Sequence, residues 1–304
     1  MASTSTDLAT RIEARLDAAI DPAVAQFAQA LAEEAGAAAV LFYGSNLRTG
    51  SLEGVLDFYI LLPGEQRDRI WPRVSYQEHE EADGTILRAK IATMALSTFG
   101  QAASGELLDT TIWARFVQPS ALVWQADEAA RRQVIEAIGA AAQTAARLAV
   151  ALGPPSGTAE DYWRALFRAT YKAEFRIEKP GRENDILSVN AEHFAGLLPL
   201  ALEAGGVAHT LHGERLTPSL TARERGAILS WWKRRQRMGK PLNFTRLIKA
   251  STTFEGAARY AAWKIERHTG MPVEVTPFRE KRPILAAPGV LWALRKHRKK
   301  TKRS

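Results

Sequence analysis

The chain has 304 residues, 46% of them hydrophobic, with a formal charge of +8 and a pI near 9.8. That length suggests about two domains, and that charge favours an anionic partner: nucleic acid, nucleotide or an acidic membrane surface. The lack of cysteine excludes disulfides, zinc–thiolate sites and a cysteine nucleophile.

No run approaches the ~18 uninterrupted apolar residues of a membrane span, and the polar start at 1–7 has no signal-peptide core. The chain therefore reads as cytoplasmic, able to lie on a membrane. Residues 8–36 read as an amphipathic helix or two, capped at Thr6 or Asp7 and broken at Pro22. Residues 37–43 are a continuous apolar strand, buried on both faces. A loop at 44–54 carries Arg48 near its turn, and a second strand at 55–62 stops at Pro63-Gly64. After an acidic stretch at 76–81 comes a third strand at 85–96, whose alternation puts Arg88 and Lys90 on one face. A helix begins within 109–117, a short strand follows at 122–124, and 128–152 is a strong Ala-rich helix.

Residues 153–157, with two prolines, form the best linker, and beyond them the chain is mostly helical. Helices are predicted at 159–177 after a Thr158 cap, at 183–204 stopped by Gly205-Gly206, at 221–238 and at 254–269. The 221–238 helix carries Trp231-Trp232 and a basic run whose 231–237 surface could face phosphates or a membrane. An apolar segment with Trp292 then leads into 295–304, where seven of ten residues are Lys or Arg. That pairing suits an acidic lipid surface, each near-surface cation contributing about 1 kcal/mol; the alternative is a basic tail that binds RNA nonspecifically.

The chemistry concentrates between the first two strands. Gly44-Ser45, eleven residues and then Asp57 in an apolar strand is the layout of a nucleotidyltransferase site. The Gly-Ser turn offers backbone N–H groups and a hydroxyl to a triphosphate, and the strand carboxylate holds the bridging Mg²⁺. An ordinary hairpin with a glycine turn is the competing reading. A second acid is expected two places on, but Tyr59 stands there, and the third strand offers Arg88 and Lys90 rather than a third acid. One metal held by Asp57 and the nucleotide's own phosphates fits better than a two-metal site. Lys90 suits a triphosphate as a point charge, or is a solvent-facing strand lysine. His193, His209, His212 and His268 show no ligand spacing and read as packing or surface groups.

Taken in order, these segments resemble the mitochondrial translocator assembly and maintenance family of CDP-diacylglycerol synthases, the peripheral phosphatidate cytidylyltransferases. Tyr43-Gly44-Ser45 is similar to the family's Tyr-Gly-Ser turn, and Leu56-Asp57-Phe58 to its Ile-Asp-Phe strand, which also lacks an acid two places on. Lys90 stands where the family has a Lys-Tyr-Gly-Val strand, although Ile91-Ala92-Thr93 follow it here. The stretch from Leu107-Leu108 to Trp113 resembles the family's Asp-Leu…Trp segment. The 171–177 segment resembles Ser-Tyr-x-x-Asp-Phe-Arg-Met, with Glu174 for Asp, and Glu183-Asn184 follows as a downstream Glu-Asn does. Lys249 to Thr252 and the 256–264 helix resemble a Ser-Ser…Lys-Gly segment, whereas the family's Ala-Gly-Arg-Leu-His-Lys-Pro stretch has no clear copy.

The resemblance implies an α+β chain: a nucleotidyltransferase-type mixed sheet with flanking helices (1–152), a mainly helical winged-helix-like domain (153–270) and a basic membrane-associating tail (271–304). It implies Mg²⁺-dependent transfer from CTP to phosphatidic acid, giving CDP-diacylglycerol and pyrophosphate at the inner face of a membrane. Asp57 and Lys90 are the expected catalytic residues, with Asp57 on the metal. Tyr43, Gly44, Ser45, Arg176, Glu183, Lys249 and Ser251 are the expected nucleotide-binding residues, and nucleic acid is not expected as a partner. The alternatives are another acceptor (a small alcohol, a protein or an RNA end) or a non-catalytic nucleic-acid- or membrane-binding relative.

Overall fold

A computed structural model describes residues 2–173, 182–253, 255–269 and 271–278. The chain is α+β, with a mixed five-stranded sheet flanked by helices. Helices α1 (Ala2–Leu16) and α2 (Pro22–Ala35) lead into β1 (Ala39–Tyr43). Asp21 caps α2 by accepting from the Ala23 N–H, and Pro22 takes the first helical position, where its missing N–H costs nothing. Helix α1 already includes Thr6 and Asp7, so the predicted cap there is not used.

A short helix, α3 (Ser45–Thr49), occupies the predicted loop. It is followed by β2 (Leu56–Leu62), β3 (Arg73–Glu80), β4 (Ile86–Ala95), α4 (Leu96–Ala103), α5 (Thr111–Phe116), β5 (Ser120–Gln125) and α6 (Glu128–Leu152). The sheet order is β3-β4-β2-β1-β5, with β2 and β4 parallel and the other pairs antiparallel. Strand β3 lies in the acidic stretch read above without secondary structure. It is an edge strand, and charged side chains are what an edge strand carries.

Alternation divides the sheet's two faces. Val40, Phe42, Leu56, Phe58, Ile60, Leu87, Ala89 and Ile91 pack with α2. Leu41, Tyr59, Leu61, Ala92 and Met94 turn to the other face, against α4, α5 and α6. By length and composition α6 could cross a membrane, a stretch the apolar-run criterion passes over, but 72% of its apolar window is buried inside the protein.

After α6 come β6 (Gly157–Thr158), α7 (Ala159–Ala173), α8 (Arg182–Val189), α9 (Ala191–Phe194), α10 (Leu197–Ala204), β7 (His209–His212), β8 (Arg215–Pro218), α11 (Ala222–Thr253) and α12 (Ala257–Thr269). The single helix predicted at 183–204 is interrupted at Asn190 and at Gly196, whose φ is +71°. The β7–β8 hairpin, turning at Gly213, was not anticipated. The predicted 221–238 helix runs on through Pro241 to Thr253. Helix α6 packs on α7, α10 and α11, and one hydrophobic core runs from Leu8 to Trp232 across the predicted linker.

Candidate functional site

Strand β1 ends where Tyr43 passes into Gly44 at φ +93°, ψ −161°, a conformation open to glycine alone without strain. Space imposes the same choice. A Cβ on Gly44 would stand 2.9 Å from Asp57 Oδ2, so the carboxylate lies directly against the turn. Asn46, 8% exposed, donates to the carbonyls of Ser51 and Glu53 and pins the loop back toward β2. Ser45 is exposed at the start of α3.

Register sets the rest of the site. Tyr43 pairs with Asp57, Asp57 with Lys90, Lys90 with Tyr76, and Tyr43 on its other side with Ser120. One row of polar side chains therefore crosses all five strands, and its members share a face because directly opposed residues point the same way. Arg88 is two residues from Lys90 on that face, as alternation predicts.

The row is electrically asymmetric. Burial pushes the Asp57 carboxyl up, and the charges of Lys90 and then Arg115 pull it back. Burial pushes the Lys90 ammonium down; Asp57 opposes that shift, while Arg115 and Lys264 add to it. Among the described residues, none donates a hydrogen bond to Asp57 or forms a close ion pair with it. A largely buried carboxylate without such a donor is costly unless a ligand, water or ion completes it. Arg115, at the end of α5, lies over the Tyr43 ring at 5.2 Å and hydrogen-bonds its hydroxyl. The phenol is pushed up to about 12, mainly by burial, so Tyr43 is a neutral donor in the ordinary pH range.

Helix α12 walls the other side. Tyr260 packs on Tyr76 at 5.4 Å, Trp263 receives Arg88 and Arg267 over its ring at 5.5 and 5.3 Å, and Lys264 lies over Tyr260. Gly54 leaves room for Arg267, whose Nη1 would be 3.3 Å from an added Cβ. Gly256 is packed so closely on the Tyr76 carbonyl that no Cβ fits there, which fixes the turn into α12.

Tyr43, Gly44, Ser45, Asp57 and Lys90 are thus brought together. Lys249 pairs with Asp68 at 3.1 Å and donates to the Ile70 carbonyl in the β2–β3 connection. Arg176 lies outside the described residues, as do the side chains of Glu183 and Ser251. The sequence reading missed Arg115 and Lys264 as site residues. Each is far along the chain from Asp57, and a single basic residue on a helix carries no signal of its own.

The position two places after Asp57 is sealed by Tyr59, fully buried against Tyr43, Phe99 and Phe116. Among the described residues no group of three potential metal ligands assembles. The donor set does not fit a resident ion. It does fit a magnesium ion carried in by a nucleotide, because Mg²⁺ takes one or two carboxylates and fills its octahedron with phosphate oxygens and water. The cations around the carboxylate favour a polyanion as the partner. Comparisons of the sequence with protein-family models and with curated proteins return no match.

Proposed function

We propose that the chain is a nucleotidyltransferase that moves a cytidylyl group from CTP to phosphatidic acid at a membrane surface. The observation that carries this reading is Asp57: a carboxylate seated on the Gly44 turn, without a hydrogen-bond donor among the described residues, beside Lys90 and Arg115. The five-stranded mixed sheet, with Gly44 just past the end of β1 and Asp57 on the adjacent β2, supports the nucleotidyltransferase assignment. Helices α7, α8 and α10 with the β6-β8-β7 sheet support a winged-helix-like second part.

In this reading the triphosphate lies along the turn at Gly44 and Ser45. Asp57 would hold the magnesium ion, and the ion would supply charge neutralisation to the triphosphate. Lys90, Arg115 and Lys264 spread positive charge along the same anion. The phosphate oxygen of the lipid forms a bond to the α-phosphorus as the bond to the β-phosphate oxygen breaks. That oxygen is already anionic, so no general base is required, and catalysis rests on positioning and preorganised charge. The choice of CTP and phosphatidic acid rests on the resemblance carried by Tyr43-Gly44-Ser45 and Leu56-Asp57-Phe58.

The test is radiolabelled CTP with Mg²⁺ and phosphatidic acid vesicles, run beside ATP and soluble acceptors. CDP-diacylglycerol should form, and Asp57→Ala should lower turnover by about 10²–10³-fold, the scale on which a single electrostatic contact to the transition state acts. Transfer only to a soluble acceptor would redirect the reading to another substrate. Absence of nucleotide transfer to every acceptor would end it.

A further inference from the structure

The predicted basic surface at 231–237 is divided by α11. Trp232, Arg235 and Gly239 are buried, whereas Lys233, Arg234, Arg237, Met238 and Lys240 are exposed. Helical geometry places Lys233, Arg234, Arg237, Lys240 and Phe244 along the outward side, at spacings of three and four. Two large apolar groups stand among these cations: Met238 is 37% exposed and Phe244 59%. From Arg225 to Phe254 the sequence contains no acidic residue. Among the described residues no carboxylate pairs with Lys233, Arg234, Arg237 or Lys240.

A hollow of about 500 Å³ opens on this side, lined by Leu108, Ser230, Lys233, Arg234, Arg237 and Met238. Three cations and a hydroxyl there suit a phosphate, and Leu108 and Met238 at its margin suit hydrocarbon. We propose that the outward side of α11 docks the protein on a bilayer of acidic phospholipid, with this hollow seating a lipid phosphate. Charge complementarity selects the partner's sign, and the exposed Met238 and Phe244 select a bilayer over a nucleic acid, since they gain by entering acyl chains. The residues of this surface are not those of the basic tail at 295–304, which lies outside the described residues, and the inference does not depend on nucleotidyl transfer.

The experiment is co-sedimentation of the full chain with phosphatidylcholine vesicles, with and without phosphatidylserine, at physiological salt and without nucleotide. Phosphatidylserine is used so that an acceptor site for phosphatidic acid does not contribute. Binding should require phosphatidylserine. Replacing Lys233, Arg234 and Arg237 together by Gln should weaken it at least tenfold, from about fivefold for each near-surface charge. A Met238→Ser, Phe244→Ser pair should weaken it severalfold while leaving all charges in place. Each of these side chains is exposed, and unchanged circular dichroism and melting check that the variants fold. The proposal fails if the triple variant binds like the parent, or if parent binding ignores phosphatidylserine. It also fails if the serine pair has no effect while single-stranded RNA displaces the vesicles, the outcome a nucleic-acid surface would give.

Discussion

At the residue scale, Gly44 and Asp57 depend on each other. A side chain at Gly44 would need both a strained backbone at φ +93° and the space the Asp57 carboxylate fills. Gly44→Ala should cost about 1–3 kcal/mol in stability and remove most activity by displacing Asp57; denaturant unfolding beside the CTP assay checks both. His193 makes a second prediction, about pH. Its Nε2 faces the Val117 carbonyl at 2.8 Å, its Nδ1 is buried with no partner among the described residues, and burial pushes the imidazole down to about 4 from the usual 6.5. The unfolded chain therefore takes up this proton before the folded one does. The stability linked to it is whole above pH 6.5 and is lost as pH falls toward 4, roughly 3 kcal/mol in all. His193→Gln should flatten the dependence of melting temperature on pH across that window, and an unchanged slope would count against it.

At the element scale, α11 is held by one buried and one half-buried cation, which bind carbonyls and one acid. Arg235, 5% exposed, donates to the Gly105, Glu106 and Leu107 carbonyls just beyond α4, and its guanidinium lies 3.9 Å from the centre of the Trp231 ring. Arg246 pairs with Asp109, which also caps α5 through the Thr111 and Ile112 N–H groups. Arg235→Met would keep apolar volume but leave three carbonyls short of a donor. Several degrees of melting temperature should be lost, in line with about 1–3 kcal/mol for each buried group left unsatisfied. If Arg235→Met melts like the parent, the clamp is not what holds α11. The sequence marks α11 as basic and aromatic, but which cations turn inward depends on where α4 ends and which carbonyls it leaves open.

At the scale of the whole molecule, the core does not stop at the proline-rich joint. Helix α6 buries Ala141, Ala145, Leu148 and Ala149, and it packs against α7, α10 and α11 as well as against α4 and α5. Arg225 of α11 donates to the Ala151 and Gly153 carbonyls, tying the later helices to the end of α6. A chain ending at Leu152 should therefore expose an apolar face and lack a cooperative melt, while the full chain should unfold across α6 in one transition by calorimetry. Two separated transitions, or a well-folded 1–152 fragment, would show that the two halves are independent.

Local pattern alone determined most of the elements: the break at Pro22, the apolar runs of β1 and β2, the alternation that sets Arg88 beside Lys90, and the ends of α6. It also marked Gly44 and Asp57, since glycine at a turn and an acid in an apolar strand each stand out against their neighbours. Edge strand β3, the β7–β8 hairpin and the continuation of α11 through Pro241 were not legible, because charged edges and short hairpins lack a strong period and packing overrides the proline. Tertiary structure alone decided that Tyr43, Asp57 and Lys90 stand abreast with Arg115 and Lys264 around them. That arrangement depends on strand register and on helices that return from distant parts of the chain, and neither is written in any short window of sequence.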